Sequence, residues 1–200
     1  MQRNIQYFEQ PGQSNTDATL SAARARAEEL GIRQVVIASS HGSTALRARE
    51  IFSGLPVEII AVTINAAYSD LGWSMTEAER KPLLEQGIQV LTSVHTLGDD
   101  VNTAFDVKTP NVIVRETLYT FSQGMKVAVE IALMAADAGL LDMSGEVIAI
   151  AGTDNGADTA IVIKPAYSRK FTDLRVREIL TKPRYREYYQ NDIQHTLRVC

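Results

Sequence analysis

The chain has 200 residues, 45% of them hydrophobic, and a formal net charge of −4. That length suits one domain around one sizeable core, and the mild acidity argues against a general nucleic-acid binder. Cys200 is the one cysteine, so no internal disulfide can form, which fits a reducing compartment.

The first 13 residues read as an arm with a turn at Pro11-Gly12. TDATLSAARARAEELG then has a helical pattern, with Asn15 or Thr16 as N-cap and Gly31 as its end. QVVIA (34–38) is a short, β-branched, wholly apolar run, suited to a strand covered on both faces. STALRAREIF (43–52) is helical, VEIIAVT (57–63) a strand, TEAERKPLLEQG (76–87) includes a helix, and IQVLTS (88–93) is a third strand. Residues 97–111 read as a long loop, followed by one long helix from about Leu118 to Leu141. EVIAIAG (146–152) and TAIVIKPA (159–166) are strands four and five. Only Thr153 to Asp158 joins them, too short for a crossover helix, so strand five is expected to run antiparallel to strand four.

These elements predict a three-layer α/β fold. Its five-stranded, mostly parallel mixed sheet has helices on both faces and an antiparallel last strand. The chain is expected to be one domain, with residues 1–13 as an arm and 167–200 as a basic extension. In that extension Arg169, Lys170, Arg175, Arg177, Lys182, Arg184 and Arg186 alternate with Asp173, Glu178 and Glu187. The mixture reads as a solvated face or subunit contact carrying a helix or two, not as an RNA patch. No signal-peptide core opens the chain. The greasy stretch Val127 to Leu141 is broken by Glu130 and Asp137, so it reads as a buried helix rather than a membrane span. A soluble cytoplasmic protein is the expectation.

Ligands of parallel α/β sheets bind beyond the carboxyl ends of the strands. Four strands here end in polar residues: Ser39-Ser40-His41-Gly42-Ser43-Thr44, Thr63-Ile64-Asn65, Thr92-Ser93-Val94-His95 and Gly152-Thr153-Asp154-Asn155-Gly156. Parallel pairing would gather all four on one edge. In the first cluster, a glycine turn opening a helix presents free N–H groups to an anion, and Ser39, Ser40, Ser43 and Thr44 add hydroxyls. That is a phosphate cup; the plainer reading is a serine-capped helix. The loop is neither a Walker loop nor a dinucleotide fingerprint, and SSHGST is no nucleophile elbow.

His41 and His95 can act in ligand binding or proton transfer, or be ordinary polar loop residues. Gly152, Thr153, Asn155 and Gly156 can admit a ligand or simply make a tight turn. Lys126, Glu130 and Asp137 share one stripe of the long helix, which reads as solvent-facing; the functional alternative brings Lys126 to the ligand. The histidines and Cys200 lack metal-site spacing.

QVVIASSHGSTALRAREIFSGLPVEIIAVT and EVIAIAGTDNGADTAIVIKPA resemble the C-terminal domain of pyruvate kinase, without that enzyme's catalytic barrel. The segments SSHGSTAL, EIIAVT, TSVH, QGMKVAVEIALMAADAGLL and AGTDNGADTA extend the likeness over about residues 14 to 185, closest to stand-alone proteins similar to that domain. The resemblance implies a five-stranded mixed sheet. It also implies that the Ser/Thr-Gly loop, an allosteric sugar-bisphosphate site in pyruvate kinase, holds a phosphate. In the stand-alone proteins the ligand implied is flavin mononucleotide (FMN). By position, Ser39, Ser40, Gly42, Ser43 and Thr44 would hold the phosphate, with Thr63, His95, Gly152, Thr153 and Asn155 lining the rest. The family tends to have a basic residue where Tyr119 stands, a glycine near Ser122 and a small residue at His41. It supplies no catalytic residue.

The leading expectation is a binding protein for a phosphorylated small molecule, FMN, open to flavin-dependent redox chemistry. The alternative is a regulatory module for a sugar phosphate or nucleotide. Alanine-rich helix faces point to a homo-oligomer. Neither nucleic acid nor membrane is expected as a partner.

Overall fold

The five apolar runs all become strands in a computed structural model of the chain, which describes residues 2–98, 104, 105 and 109–185. The strands are β1 (Gln6–Phe8), β2 (Gln34–Ala38), β3 (Glu58–Thr63), β4 (Gln89–Thr92), β5 (Val147–Ala151), β6 (Thr159–Lys164) and β7 (Arg175–Pro183). They form one sheet in the order β1-β7-β6-β5-β2-β3-β4. The expected five-stranded sheet is therefore a seven-stranded one among the described residues. Its two extra strands come from the segments read as an arm and a basic tail. β1 is only three residues long, and β7 carries its exposed Arg175, Val176 and Arg177 before its buried Thr181. Neither has the unbroken apolar run of a central strand.

β5 and β6 pair antiparallel, as their short link requires, and β6 pairs antiparallel with β7. Every other pairing is parallel. So β6 alone runs against the other six strands, and their carboxyl ends share one edge. The ladder β5-β2-β3-β4 aligns Ile37 with Ile150 and Ala61, and Thr63 with Thr92.

The helices are α1 (Thr16–Leu30), α2 (Ser43–Ile51), α3 (Glu77–Glu85), α4 (Pro110–Tyr119) and α5 (Gln123–Asp137). Alternate strand residues face opposite ways, which builds two cores. Val35, Ile37, Ile59 and Ile148 pack with Leu20, Ala45, Phe52 and Leu83 of the α1–α3 face. Val36, Ile60, Ala149 and Ile161 pack with Met125, Val129, Ala132 and Leu133 of α5. Ala23, Ala27, Ala128, Ala132 and Ala135 are buried inside the chain, where their small side chains bring helix close to sheet. Burial on both faces explains the apolar residues 35–38 of β2 and the wholly apolar β5.

Residues 118–141 do not make one helix. α4 starts at Pro110, where a missing N–H costs nothing. The chain then breaks, and α5 restarts with Ser122 as N-cap, its hydroxyl accepting from the Met125 N–H at 2.9 Å. The loop read over 97–111 lies partly outside the described residues, as do Arg186, Glu187 and Cys200. Between Ala166 and Tyr185 a short 3₁₀ segment (Ser168–Asp173) and β7 stand where a helix or two were expected; residues 186–200 lie outside the described residues. β7 is held to α1 by a fork from Arg26, whose Nε and Nη2 donate to the Glu178 carboxylate at 2.8 and 2.5 Å. Among the described residues no helix is long and apolar enough to cross a membrane.

Candidate functional site

The parallel ladder puts the ends of β2, β3, β4 and β5 on one edge, as the polar clusters implied. Four helices also begin there. Thr16 at the start of α1 accepts from the Ala157 N–H at 3.0 Å. α2 follows β2 directly. Glu79 in the first turn of α3 reaches His41, and Ser122 before α5 meets the Thr159 hydroxyl at 3.2 Å. Aligned helix dipoles thus make this edge favourable to anions.

The β2–α2 loop is the centre of the edge. Ser39 is buried; its N–H donates to the Val62 carbonyl at 3.0 Å and its hydroxyl accepts from the Ala45 N–H at 3.2 Å. Gly42 has φ 87°, a left-handed conformation that L side chains resist, and a Cβ there would come within 2.8 Å of Leu83 Cδ1. Among the described residues, the backbone N–H groups of Ser40, His41, Gly42, Ser43 and Thr44 have no hydrogen-bond partner. Thr44 is buried, whereas His41 and Ser43 are exposed.

His41 Nδ1 lies 3.1 Å from Glu79 Oε1. The Glu79 carboxyl is held below its ordinary value first by the Thr76 N–H, then by the Thr76 hydroxyl and His41. Thr76 and Glu79 form a capping box at the start of α3. Thr76→Ala is expected to cost about 1 kcal/mol at pH 7 in urea unfolding. Because the folded Glu79 pKa is depressed, its stabilisation is present above the unfolded carboxyl value and fades as pH falls through the folded one. The gap between wild type and variant should therefore narrow on acidification; a gap independent of pH would show that Glu79 draws nothing from Thr76.

The Gly152–Asp158 loop is tied to the N-terminal arm. A Cβ at Gly156 would fall 2.4 Å from Thr16 Oγ1, and one at Gly152 would fall 2.6 Å from the Gly156 carbonyl oxygen. The space beside both glycines is thus filled by the chain itself. Asp158, fully buried, accepts at Oδ2 from the Gly12 and Thr153 N–H groups (2.9 and 3.0 Å) and at Oδ1 from the Thr159 hydroxyl (2.8 Å). Asn155 is exposed and Thr153 buried; both border a hollow against Pro11, Gly12 and Gln13. Gly124 is also obligatory, since a Cβ would lie 2.6 Å from Thr159 Cβ.

Beyond β3 and β4, the Thr63 and Thr92 hydroxyls hydrogen-bond at 2.6 Å. Tyr68 stacks on Trp73 at 5.7 Å and lies 6.1 Å from the His95 ring. Lys126 and Glu130 overturn the expected solvent-facing stripe. They form a buried ion pair, Lys126 also lies 5.8 Å from the Tyr119 ring, and Glu130 accepts from the Leu97 N–H at 2.8 Å. Only Asp137 faces solvent, where it accepts from the Ser168 N–H. α5 carries apolar residues around its whole circumference and is covered by the sheet, so its charges had to pair internally. Asp158 and Gly124 escaped the sequence reading because their partners lie far away in the chain; Ser122 and Glu79 escaped it although the α5 cap and the Thr76–Glu79 capping box are local signals. Among the described residues no group of three or more His, Cys, Asp or Glu could hold a metal ion.

The family model described as pyruvate kinase, alpha/beta domain, matches residues 17–163. The chain belongs to this family. The match contains the β2–α2 and β5–β6 loops and leaves out β1 and β7. Among solved structures the chain is similar to Cryptosporidium parvum pyruvate kinase in complex with ADP, at 15% identity and a TM-score of 0.36, over 74% of this chain and 22% of that one. Another structure of C. parvum pyruvate kinase aligns at 15% identity and a TM-score of 0.33, over 68% of this chain and 20% of that one. The chain therefore spans under a quarter of the length of those kinases.

Proposed function

We propose that the chain is a non-catalytic regulatory module that binds a phosphorylated small molecule, a sugar phosphate or a nucleotide, at the β2–α2 loop. One observation carries this reading: five consecutive N–H groups, Ser40 to Thr44, without a partner among the described residues, where α2 begins. Amides so placed suit a phosphate, and the Ser40, Ser43 and Thr44 hydroxyls add donors. Membership of the pyruvate kinase alpha/beta domain family supports it, since the resemblance implies phosphate binding at this loop.

Calorimetric titration with a hexose bisphosphate, a nucleoside monophosphate and FMN tests the reading. Ser40→Ala and Thr44→Val should each weaken the ligand that binds by about 1.5–3 kcal/mol, the worth of a hydrogen bond to a charged group. Unchanged affinity in both variants would remove the loop from the site. An absorbance spectrum after desalting decides the ligand class: retained flavin bands would replace the regulatory reading with the flavoprotein one. A regulatory module should also change its assembly with ligand. Light scattering with and without ligand reads that change and the proposed homo-oligomer together.

A further inference from the structure

A cleft of about 100 Å³ opens on the same edge, between the start of α5 and the end of β7. Thr120, Phe121, Ser122 and Gln123 form one wall; Lys182, Pro183, Arg184 and Tyr185 form the other, with Pro11 and Thr153 completing it. The lining holds two cations and no carboxylate. Among the described residues neither Lys182 nor Arg184 has an ion-pair partner. The Lys182 ammonium donates only to the Pro183 carbonyl at 2.6 Å and lies 5.4 Å from the Tyr7 ring, and burial lowers its pKa against the pull of Asp158. The Asp158 carboxylate is already engaged by Gly12, Thr153 and Thr159. The Arg184 guanidinium lies 5.2 Å from the Tyr185 ring.

Two more sets of groups can donate to an anion there. Thr153 is 9% exposed, and its hydroxyl has no hydrogen-bond partner among the described residues. Gln123 and Gly124, the first residues of α5, have backbone N–H groups without a partner there, while the next N–H is capped by Ser122. The cleft thus gathers donors and positive charge and offers little to a cation.

We propose that this cleft is a second anion site, one that takes a phosphoryl group between Lys182, Arg184, the Thr153 hydroxyl and the start of α5. A phosphoryl group matches this donor set better than a carboxylate, because its three terminal oxygens accept from several directions at once. The volume is below the roughly 300–1,000 Å³ of pockets for drug-sized ligands, so the phosphoryl group fills it and any organic body lies at the mouth, by Phe121 and Tyr185. The site's cations stand three strands from β2, roughly 14 Å at the usual strand spacing, whereas Thr153 follows β5, the neighbour of β2, so the site lies on the β7 side of the β2–α2 loop. Lys182 on β7 and Arg184 just beyond it lie outside the family match, so the site's positive charge comes from this chain's own additions.

The test is a titration of the full chain with inorganic phosphate and with phenyl phosphate, followed by calorimetry and amide NMR shifts. Binding should move the Gln123, Gly124 and Thr153 amides. Lys182→Gln/Arg184→Gln should weaken it at least tenfold, and Thr153→Val should weaken it less, with unchanged circular dichroism. Thr44→Val should leave it alone, which separates failure here from failure of the β2–α2 reading. Tighter binding of phenyl phosphate would show a phosphoryl group carried on a ring that rests on Phe121 and Tyr185; equal binding would show a site for the free anion. If phosphate moves none of these amides, or the double variant binds as wild type does, the cleft is not an anion site. Thr153→Val, away from both cations, keeps the test decisive should the double variant misfold.

Discussion

Glu130→Ala is expected to destabilise the chain by about 3–5 kcal/mol, the cost of stranding a buried charge. Side-chain exposure is 8% for Lys126 and 2% for Glu130, so the Lys126 ammonium would remain in the core without its carboxylate. The Leu97 N–H would lose its acceptor as well. Lys126→Met/Glu130→Leu removes both charges at similar volume and should recover most of the loss, since a buried pair adds little over well-packed apolar groups. Urea unfolding of the three proteins at pH 7 decides the matter. A single variant within 1 kcal/mol of wild type would mean that Lys126 escapes to water.

Asp158→Ala should cost about 3 kcal/mol, because two backbone N–H groups, those of Gly12 and Thr153, lose their acceptor together and each such loss is worth about 1–3 kcal/mol. The effect has a location. Gly12 belongs to the segment that leads from β1 to α1, so the arm should loosen before the core does. Hydrogen exchange should speed up at Gly12, Thr153 and the β1–β7 ladder while the amides of β2 and β3 keep their protection. Asp158→Asn retains one acceptor oxygen and should fall between the two. Unaltered exchange at Gly12 would refute the tether.

What could be read in the sequence follows from how local the information is. QVVIA, EIIAVT and EVIAIAG declared themselves central strands because both faces are covered, and the polar residues behind them do gather on one edge of the sheet. RVREILTKP concealed a strand, because the outer part of the sheet tolerates charge, and Gln6–Phe8 is too short to show a period. Lys126 and Glu130 misled for the opposite reason: charges at i, i+4 look like a wet face, though the surrounding Met125, Val129, Ile131 and Leu133 leave the helix no wet face there. The Ser122 break was within reach, since a serine ahead of a helical run is a cap signal and Pro110 already marks another start. The role of Gly156 was out of reach. Its neighbours, Gln13 and Thr16, are close only after the sheet has formed.

The pairing of β1 with β7, Gln6 beside Thr181 and Phe8 beside Pro183, also bears on the order of events during folding. The two strands come from opposite ends of the described chain, so their ladder cannot form until the ribosome has released Pro183. The central strands can zip earlier, as each new parallel strand emerges with its helix. Closing so long a loop is entropically slow. The family-matched part is therefore expected to collapse first and β1 to dock last. In the interval β7 has an open hydrogen-bonding edge, the moment at which a second nascent chain can take the place of β1.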